Sequence, residues 1–319
     1  MSQETMRAVR IHAYGGPEEL RLDRVPVPEP GAGEVRVRVH AAGINPVDYK
    51  TREGGAVAVR GGERLPLPLV LGWDVSGTVD ALGADVTDFR PGDEVYGMIR
   101  FPEIGSAYAE YATAPASHLA LKPPSLSHEE AAALPLAALT AWQGLFEAAE
   151  LAAGQTVLVH AAAGGVGHLA VQMAKWKGAR VIGTASARNA EHVRELGVDE
   201  FVDYTAGPFE ERLREVDVVL DTVGKETLDR NFAVLRRGGV LVSIAGAPSA
   251  ELAERHGVRA ERILVRPSRE QLDSIRELVD EGHLQVTLDA VLPLSEARAA
   301  HERSESRRAR GKIVLQMVE

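Results

Sequence analysis

Cysteine is absent from all 319 positions of this sequence. The chain therefore cannot form disulfides, use a thiolate as a nucleophile or bind zinc through sulfur. The absence also fits a reducing compartment, and we predict a cytoplasmic location. The first sixteen residues are polar and charged and lack the apolar core of a signal peptide, which agrees with that prediction.

Positive charge and long apolar runs are also scarce. The chain has 46 acidic and 36 basic residues and a net charge of −10, so we expect neither nucleic acid nor an anionic membrane as a partner. The most apolar run, Ala131–Phe146, is interrupted by Pro135 and Gly144 and is too short to span a membrane, so it predicts a buried helix. The remaining composition, 45% hydrophobic and 26% charged, is typical of a globular protein large enough for two domains.

The middle of the chain has the pattern of a strand, a glycine-rich turn, a helix and a second strand. The short β-branched run Thr156–His160 predicts a buried strand. Behind the turn, apolar residues recur at helical spacing, at Val166, Leu169, Ala170, Met173 and Ala174. Gly178 stands where a helix commonly ends, and Arg180–Thr184 predicts the second strand.

The turn itself matches the dinucleotide fingerprint G-x-G-x-x-G, with Ala162 at the first glycine position. A pyrophosphate needs backbone N–H groups and the positive end of a helix dipole. A side chain at Gly164 would hold the backbone away from the ligand, and one at Gly167 would push helix and strand apart. We predict a nucleotide site, although a tight turn without a ligand is the alternative reading. Its backbone contacts are Ala163, Gly164, Gly165, Val166 and Gly167.

The end of the second strand favours NADPH over NADH. NAD sites usually place a carboxylate there for the ribose 2′-hydroxyl, whereas the first carboxylate here is Glu191, in the next predicted helix. Small polar residues with an arginine suit a 2′-phosphate, because a guanidinium binds phosphate through two parallel hydrogen bonds. We therefore predict that Thr184, Ser186 and Arg188 contact NADPH. The alternative for Arg188 is a solvated position at a helix start.

The N-terminal third predicts a compact, β-rich barrel, because many short strands are separated by glycine and proline. Val35, Val37 and Val39 alternate with polar residues, as expected of a half-buried strand. The other predicted strands are Arg7–His12, Leu20–Val25, Val75–Leu82, Glu94–Met98 and Tyr108–Thr113. The segment Gly54–Glu63 contains four glycines and predicts a mobile loop.

From Ser127 onward, strands and helices alternate, which predicts a parallel, doubly wound sheet. Ser127 and Glu130 have the spacing of a capping box at the start of a helix. The predicted strands are Glu200–Asp203, Val216–Asp221, Val240–Ile244 and Arg262–Val265, and the predicted helices are Ala190–Leu196, Glu226–Leu235 and Arg269–Glu281.

The C-terminal part returns to strand patterns. We expect Gln285–Val291 and Lys312–Val318 to pair with the first domain. Near the C-terminus lies a basic run that predicts a solvated helix face, formed by Arg303, Arg307, Arg308, Arg310 and Lys312. The alternative is that one of these arginines reaches the 2′-phosphate of the cofactor.

Five segments carry a family resemblance that spans nearly the whole chain. They are GEVRVRVHAAGINPVDYKTREG (Gly33–Gly54), PLVLGWDVSGTV (Pro68–Val79), FRPGDEVYG (Phe89–Gly97), AAAGGVGHLAVQMAK (Ala161–Lys175) and GKIVLQM (Gly311–Met317). In this order they resemble the medium-chain dehydrogenase/reductases, and within them the zinc-independent NADPH:quinone oxidoreductase branch, which is zeta-crystallin-like. The resemblance implies an α/β fold with a GroES-like β-barrel catalytic domain, residues 1–124 and 284–319, and a Rossmann domain with a doubly wound parallel sheet, residues 125–283. It also implies a homodimer that pairs through the strand near Arg262–Val265.

Departures from the zinc-using branch of that family predict a site without metal. That branch has a cysteine where this chain has Asn45, and a histidine–glutamate pair where it has Trp73-Asp74. A catalytic zinc needs three side-chain ligands. The ten histidines also never occur four positions apart, and no tyrosine is followed four residues later by lysine, as short-chain dehydrogenases require.

The expected chemistry is hydride transfer from the nicotinamide to an acceptor that is already electrophilic, such as a quinone. Reduction of the double bond of an enone, alkenal or enoyl thioester is the enzymatic alternative, and a nucleotide-binding sensor without turnover is another class.

The resemblance places Asn45, Asp48 and Tyr49 in the catalytic cleft between the domains. Asn45 or Tyr49 would donate a hydrogen bond to the substrate oxygen. A turn cap for Asn45, a helix cap for Asp48 and plain packing for Tyr49 are the structural alternatives. The further cofactor contacts implied by the family are Thr140, Tyr204, Val223, Gly224, Ala245 and Gly246.

Overall fold

The computed structural model describes residues 4–60, 62–225 and 227–317, and its contacts divide the chain into two units. The first comprises Met1–Leu139, Arg266–Glu281 and Val286–Glu319, and the second comprises Thr140–Val265 and Gly282–Gln285. Residues 125–139 and 266–281 thus group with the first unit, although the sequence assigns them to the nucleotide-binding domain. The units are defined by contacts and not by independent folding, so the domain boundaries predicted at residues 124 and 284 remain a prediction.

In chain order the strands are β1 (Thr5–Ile11), β2 (Leu20–Pro26), β3 (Glu34–Ile44), β4 (Val59–Arg60), β5 (Glu63–Arg64), β6 (Leu69–Val70), β7 (Asp74–Leu82), β8 (Glu94–Met98), β9 (Tyr111–Pro115), β10 (Leu119–Leu121), β11 (Thr156–Val159), β12 (Arg180–Ala185), β13 (Glu200–Asp203), β14 (Val216–Asp221), β15 (Leu235–Ser243), β16 (Arg259–Arg262), β17 (Leu288–Pro293) and β18 (Lys312–Gln316). The helices are α1 (Pro46–Arg52), α2 (His128–Ala132), α3 (Pro135–Trp142), α4 (Gly167–Trp176), α5 (Ala190–Glu195), α6 (Phe209–Arg212), α7 (Ala250–His256), α8 (Arg269–Asp280) and α9 (Ala297–Glu305).

The first unit is built around β3, which lies in the sheet β10-β8-β7-β3-β18-β17 and also pairs with β9. Val35, Val37 and Val39 of β3 are buried while the polar residues between them are not, which confirms the predicted alternation. The C-terminal β18 runs antiparallel to β3, with Ile313 opposite Ile44, and parallel to β17. The prediction that the C-terminal strands pair with the first domain is therefore confirmed for the described residues. Val318, the last residue of the predicted strand, lies outside them.

The second unit contains the parallel sheet β13-β12-β11-β14-β15-β16. From β11 the chain places β12 and then β13 on one side of the sheet. It then crosses to the other side of β11, where β14, β15 and β16 follow in order. Ligands of such sheets bind outside the carboxyl ends of the strands at this reversal. The predicted doubly wound α/β fold is confirmed.

The apolar run at 131–146 forms two helices and a π-helical segment, Gln143–Ala148, instead of a single helix. Pro135 starts α3, where its missing N–H is not needed. The predicted capping box is present before α2, since Ser127 Oγ accepts from the Glu130 N–H and Glu130 accepts from the Ser127 N–H. Among the described helices, none has the length and apolarity of a membrane span.

Several predicted elements are placed differently by the structure. Strand β15 begins at Leu235 and not at Val240, and β17 spans Leu288–Pro293 and not Gln285–Val291. Strand β9 begins at Tyr111 and not at Tyr108. Strand β16 ends at Arg262, because its partner β15 ends at the paired residue Ser243. The predicted helix 226–235 is wrong: in its described part, which excludes Glu226, the only helical turn is the 3₁₀ turn Arg230–Ala233, and Leu235 already begins β15. Nothing in the structure tests whether Gly54–Glu63 is mobile, and Gly61 lies outside the described residues.

Candidate functional site

Asn45 lies at the junction between the end of β3 and the start of α1. Its backbone is extended, with φ −132° and ψ 155°, and Pro46 begins the helix. Asp48, three residues on, accepts a hydrogen bond from the Asn45 N–H through Oδ2 at 2.5 Å. The local sequence Asn-Pro-x-Asp therefore sets the start of the helix and fixes the direction in which the Asn45 side chain leaves the backbone.

Two charged side chains from neighbouring strands hold the Asn45 amide. Lys312 Nζ donates to Oδ1 at 2.5 Å, and Nδ2 donates to Asp74 Oδ2 at 2.8 Å. An ammonium only donates and a carboxylate only accepts, so these partners permit one orientation of the amide. Because Nδ2 carries two hydrogens, one N–H has no acceptor among the described residues and remains for another group.

Asp74 and Lys312 form a buried ion pair, 3.6 Å apart, with side chains that are 0% and 3% exposed. Burial raises the pKa of Asp74 while Lys312 lowers it, and burial lowers the pKa of Lys312 while Asp74 raises it. Asp74 Oδ1 also accepts from the Leu136 N–H at the start of α3, at 2.8 Å. The predicted solvated helix face is thus wrong beyond Arg303, because α9 ends at Glu305 and Arg307, Arg308 and Arg310 follow it outside the helix. Strand pairing carries Lys312 into the interior.

The other two predicted catalytic residues, Asp48 and Tyr49, lie in α1. Asp48 is fully buried, and burial raises its pKa to about 7, although the hydrogen bond from the Asn45 N–H lowers it. A hydrogen bond from the Tyr108 hydroxyl also lowers the pKa of Asp48. Tyr49 is 8% exposed, and in the part of the chain that the structure describes no hydrogen bond holds its hydroxyl. Their participation in catalysis remains a prediction.

The glycine turn between β11 and α4 has the close approach that the fingerprint requires. A Cβ at Gly167 would lie 2.2 Å from the Ala161 carbonyl oxygen, so only glycine fits there. At Gly164 the corresponding distance is 3.2 Å, so packing within the chain restricts this position less. Among the described groups, the N–H groups of Ala163, Gly165 and Val166 have no hydrogen-bond acceptor. Free donors at the N-terminus of α4 fit a pyrophosphate.

The ends of β12 and β13 carry the residues predicted to contact the adenosine end. Thr184 is 2% exposed, and its hydroxyl pairs with His160 Nδ1 at 3.0 Å. Ser186 is half-buried and Arg188 is exposed in the turn that follows β12. Tyr204, 58% exposed, follows β13. No carboxylate ends β12, and the cofactor contacts of these residues remain a prediction.

Side chains at the ends of β14 and β15 shape the two loops predicted to border the cofactor. Asp221 accepts from the N–H groups of Val223 and Gly224, at 2.8 and 2.9 Å. Ser243 Oγ accepts from the N–H groups of Ala245 and Gly246, both at 3.3 Å. These contacts give the loops a defined backbone path. In α3, Thr140 is 4% exposed, and its role is likewise untested.

The sequence reasoning missed two groups of functional candidates. One is the pair Lys312 and Asp74 around Asn45. The other is a buried chain in which His160 Nε2 donates to Asn231 Oδ1 at 2.8 Å and Asn231 Nδ2 donates to Asp221 at 2.9 Å. Burial lowers the pKa of His160, while the Asp221 carboxylate raises it. One sequence feature could have identified the second group: His160 and Asp221 are both polar residues at the carboxyl end of a predicted buried strand.

Comparison with known proteins places this geometry in a family. Residues 31–124 match the alcohol dehydrogenase GroES-like domain, and residues 196–315 match the zinc-binding dehydrogenase domain. The mitochondrial NAD(P)H oxidoreductase RTN4IP1 of Danio rerio is 35% identical over 98% of this chain and 92% of its own length. The chain belongs to the medium-chain dehydrogenase/reductase superfamily.

Two further similarities narrow its position within the superfamily. The chloroplastic NADPH-dependent alkenal/one oxidoreductase of Arabidopsis thaliana is 35% identical over 97% of this chain and 79% of its own length. The structure of the quinone oxidoreductase from Coxiella burnetii superimposes with a TM-score of 0.92 at 38% identity, over 99% of this chain and all of that one. This medium-chain dehydrogenase/reductase is therefore an oxidoreductase of the quinone oxidoreductase-like branch and uses a nicotinamide cofactor.

The side chains at the positions of the zinc ligands in other superfamily members do not fit a catalytic zinc. The oxygens of Asn45 and Asp74 both face the Lys312 ammonium. The neighbouring Trp73 is buried and donates its indole N–H to the Glu103 carbonyl. Within the described residues, no cluster of three or more histidine, aspartate or glutamate side chains has the arrangement of a metal site.

Proposed function

We propose that this protein is an NADPH-dependent reductase that transfers hydride to a quinone without a metal. The observation that carries the proposal is the Asn45 amide, which Lys312 and Asp74 hold while one N–H finds no acceptor in the part of the chain that the structure describes. Such a donor stabilises an oxygen that becomes negative during the reaction. It does not replace the Lewis acid that an unactivated ketone requires, and so the site favours an acceptor that is already electrophilic.

The reduced nicotinamide, when bound, supplies the hydride from C4. The protein brings the acceptor carbon to about 3–3.5 Å from the donor and excludes water. As the acceptor carbon receives the hydride, its conjugated oxygen gains negative charge. The remaining Nδ2–H of Asn45 or the hydroxyl of Tyr49 then donates to that oxygen, a contact worth about 10²-fold in rate by analogy with oxyanion donors.

The preference for NADPH is supported by the end of β12, where Ser186 and Arg188 occur and a carboxylate does not. The nearby acid Asp203, at the end of β13, accepts from the N–H and the hydroxyl of Thr205, at 2.9 and 2.7 Å. The Asp203 carboxylate is therefore hydrogen-bonded within its own loop. The relative from Arabidopsis thaliana is also named as NADPH-dependent.

Arg188→Glu is expected to raise the Kd for NADPH by about tenfold or more, because a charge-assisted hydrogen bond to phosphate is replaced by repulsion. The Kd for NADH should not rise. Both constants are measured by fluorescence titration. Arg255→Glu, which changes another exposed arginine of the same unit, is the control for net charge. An unchanged NADPH affinity in Arg188→Glu would contradict the cofactor assignment.

The closest alternative is reduction of the double bond of enones, alkenals or enoyl thioesters. It uses the same hydride geometry and the same stabilised oxygen, and the relative from Arabidopsis thaliana is named for alkenals and enones. A third reading is an NADPH-binding sensor without turnover.

A panel assay separates these functions. Oxidation of NADPH is followed at the nicotinamide absorbance with quinones, enones and enoyl thioesters, with NADH, added zinc and a chelator in parallel. We expect turnover of quinones with NADPH that is insensitive to chelator. Turnover of enones or thioesters alone would move the function to the alternative. Tight NADPH binding with no acceptor reduced would favour the sensor.

We also propose a homodimer and a cytoplasmic location. Strand β16 is the last strand of the six-stranded sheet, and within the described residues its outer edge has no partner strand. A free edge is suited to pairing with the same strand of a second copy. Light scattering of the purified protein tests the dimer, and cell fractionation tests the location.

A further inference from the structure

We propose that Lys312 is a positioning residue of the hydride-transfer site, whose ammonium orients and polarises the Asn45 amide so that its second Nδ2–H is the donor to the substrate oxygen. The inference rests on the proposed function. It also decides between Asn45 and Tyr49, which the sequence leaves open.

The sheet brings the three side chains together. Strand β3 lies between β18 and β7, and each of these neighbours supplies one charged residue next to the end of β3. The pairing of Ile313 with Ile44 places Lys312 beside Asn45. The pairing of Asp74 with Gly43 places its carboxylate on the other side. Lys312 Nζ is further held by the Ile44 carbonyl oxygen at 3.1 Å. The cluster is therefore part of rigid sheet structure.

Both charges of the pair favour the same orientation of the amide, and the ammonium polarises it. The ammonium at Oδ1 withdraws electron density from the amide group and makes its N–H groups stronger donors, an effect that is large where water is excluded. Asp74 takes one of these N–H groups, so the other is both polarised and fixed in direction. Rotation of the amide by 180° would place NH₂ against the ammonium and oxygen against the carboxylate, which the charges oppose.

Tyr49 lacks comparable support. In the part of the chain that the structure describes, no group binds its hydroxyl, so nothing sets the direction of its O–H. A donor contributes most to the rate when it is oriented before the reaction. Burying an ion pair also gives little stability relative to apolar residues of similar size. A role in orienting Asn45 therefore explains the Lys312–Asp74 pair better than stability does.

The test compares Lys312→Met and Lys312→Gln with Lys122→Gln. Lys122 is a second buried lysine of the same unit, 8% exposed, and its partners are the carbonyl oxygens of Pro123 and Leu126 and the carboxylate of Glu94. For each variant, kcat and KM for the quinone, Kd for NADPH and Tm are measured. The side-chain amide signal of Asn45 is recorded in the ¹H–¹⁵N spectrum of the full-length protein.

We expect Lys312→Met to lower kcat about tenfold with little change in Kd for NADPH, because the polarised donor contributes only in the transition state. Lys312→Gln can still donate to Asn45 Oδ1 and should recover part of the loss. The Asn45 amide protons should move upfield in Lys312→Met and partly return in Lys312→Gln. Lys122→Gln should lower Tm and leave kcat unchanged.

If Lys312→Met fails to fold, the double variant Asp74→Asn with Lys312→Met removes the carboxylate left without its partner and is measured instead, with the same expected loss. A wild-type kcat and an unmoved Asn45 signal in the folded Lys312 variants would overturn the inference while leaving the proposed function intact. If the wild-type protein reduces neither quinones nor enones, the proposed function fails first, and the inference fails with it.

Discussion

Asn45→Ala is expected to lower kcat for quinone reduction by about 100-fold, which is the usual consequence of removing one oxyanion donor. The Kd for NADPH should remain close to the wild-type value, because Asn45 is not among the residues predicted to contact the cofactor. The loss should appear in kcat more than in KM, since the hydrogen bond strengthens only as charge develops on the substrate oxygen. Steady-state kinetics and a fluorescence titration with NADPH measure the two quantities.

Tyr49→Phe is the matched control for Asn45→Ala, since it removes the other candidate donor from the same segment. It should change kcat by about twofold or less, because the unoriented Tyr49 hydroxyl contributes little. Far-UV circular dichroism and Tm exclude a folding defect in either variant. If Asn45→Ala keeps its kcat, Asn45 is only the cap of α1, and the proposal for this site is wrong.

Asp48→Asn is expected to stabilise the protein at pH 8 by about 4 kcal/mol. The pKa of Asp48 is raised by burial from 3.8 to about 7. The folded state therefore holds this proton more tightly than the unfolded state. Its contribution to stability is fully present below pH 3.8 and is lost as the pH rises through 7. Asparagine does not titrate and still offers an oxygen to the Asn45 N–H, so the variant avoids that loss.

Urea unfolding at a series of pH values measures this effect. The difference in free energy of unfolding between Asp48→Asn and wild type should be largest at pH 8 and shrink toward pH 4. A variant that is equally or less stable than wild type at pH 8 would show that the buried Asp48 carboxylate is not a source of instability.

Acid unfolding provides an internal control for the Asp48 experiment. His301 is buried, and burial, together with the nearby Arg52, lowers its pKa to about 3. Its Nδ1 lies 3.1 Å from Arg52 Nη1, so the imidazole accepts there and is neutral. Because the folded pKa lies below the unfolded value of 6.5, stability is lost as the pH falls from 6.5 toward 3. Asp48→Asn should leave this acid loss in place, whereas His301→Gln should reduce it.

Local patterns predicted the elements whose residues interact with near neighbours. The strand, turn and helix from Thr156 to Trp176 follow from a β-branched run, a glycine turn and a helical apolar stripe. Gly178 ends the helix in the left-handed region, with φ 84°, as its position predicted. The predicted helix 226–235 failed for a long-range reason. The side chains of Thr227 and Asn231 bind Asp221 at the end of β14, and this competes with helix formation.

The candidate site was predicted only in part. Asn45, Asp48 and Tyr49 follow one another in the sequence, so a motif identifies them together. Lys312 is 267 residues from Asn45 along the chain, and Asp74 is 29 residues away. Neither their spacing nor their periodicity marks them as partners of the amide. Sequence patterns do not distinguish a buried lysine from a solvated one at this position, and only the strand pairing shows that Lys312 is buried.

The local elements, the alternation that leads to a parallel sheet and the family are all encoded in local patterns, because they depend on periodicity, on turn residues and on motif order. Which polar residues are buried and paired depends on long-range packing. The register of β18 and β7 against β3 places Lys312 and Asp74 on the Asn45 amide. Burial then raises the pKa of Asp48 and lowers that of Lys312. Both effects depend on the exclusion of water by distant segments, which no local pattern encodes.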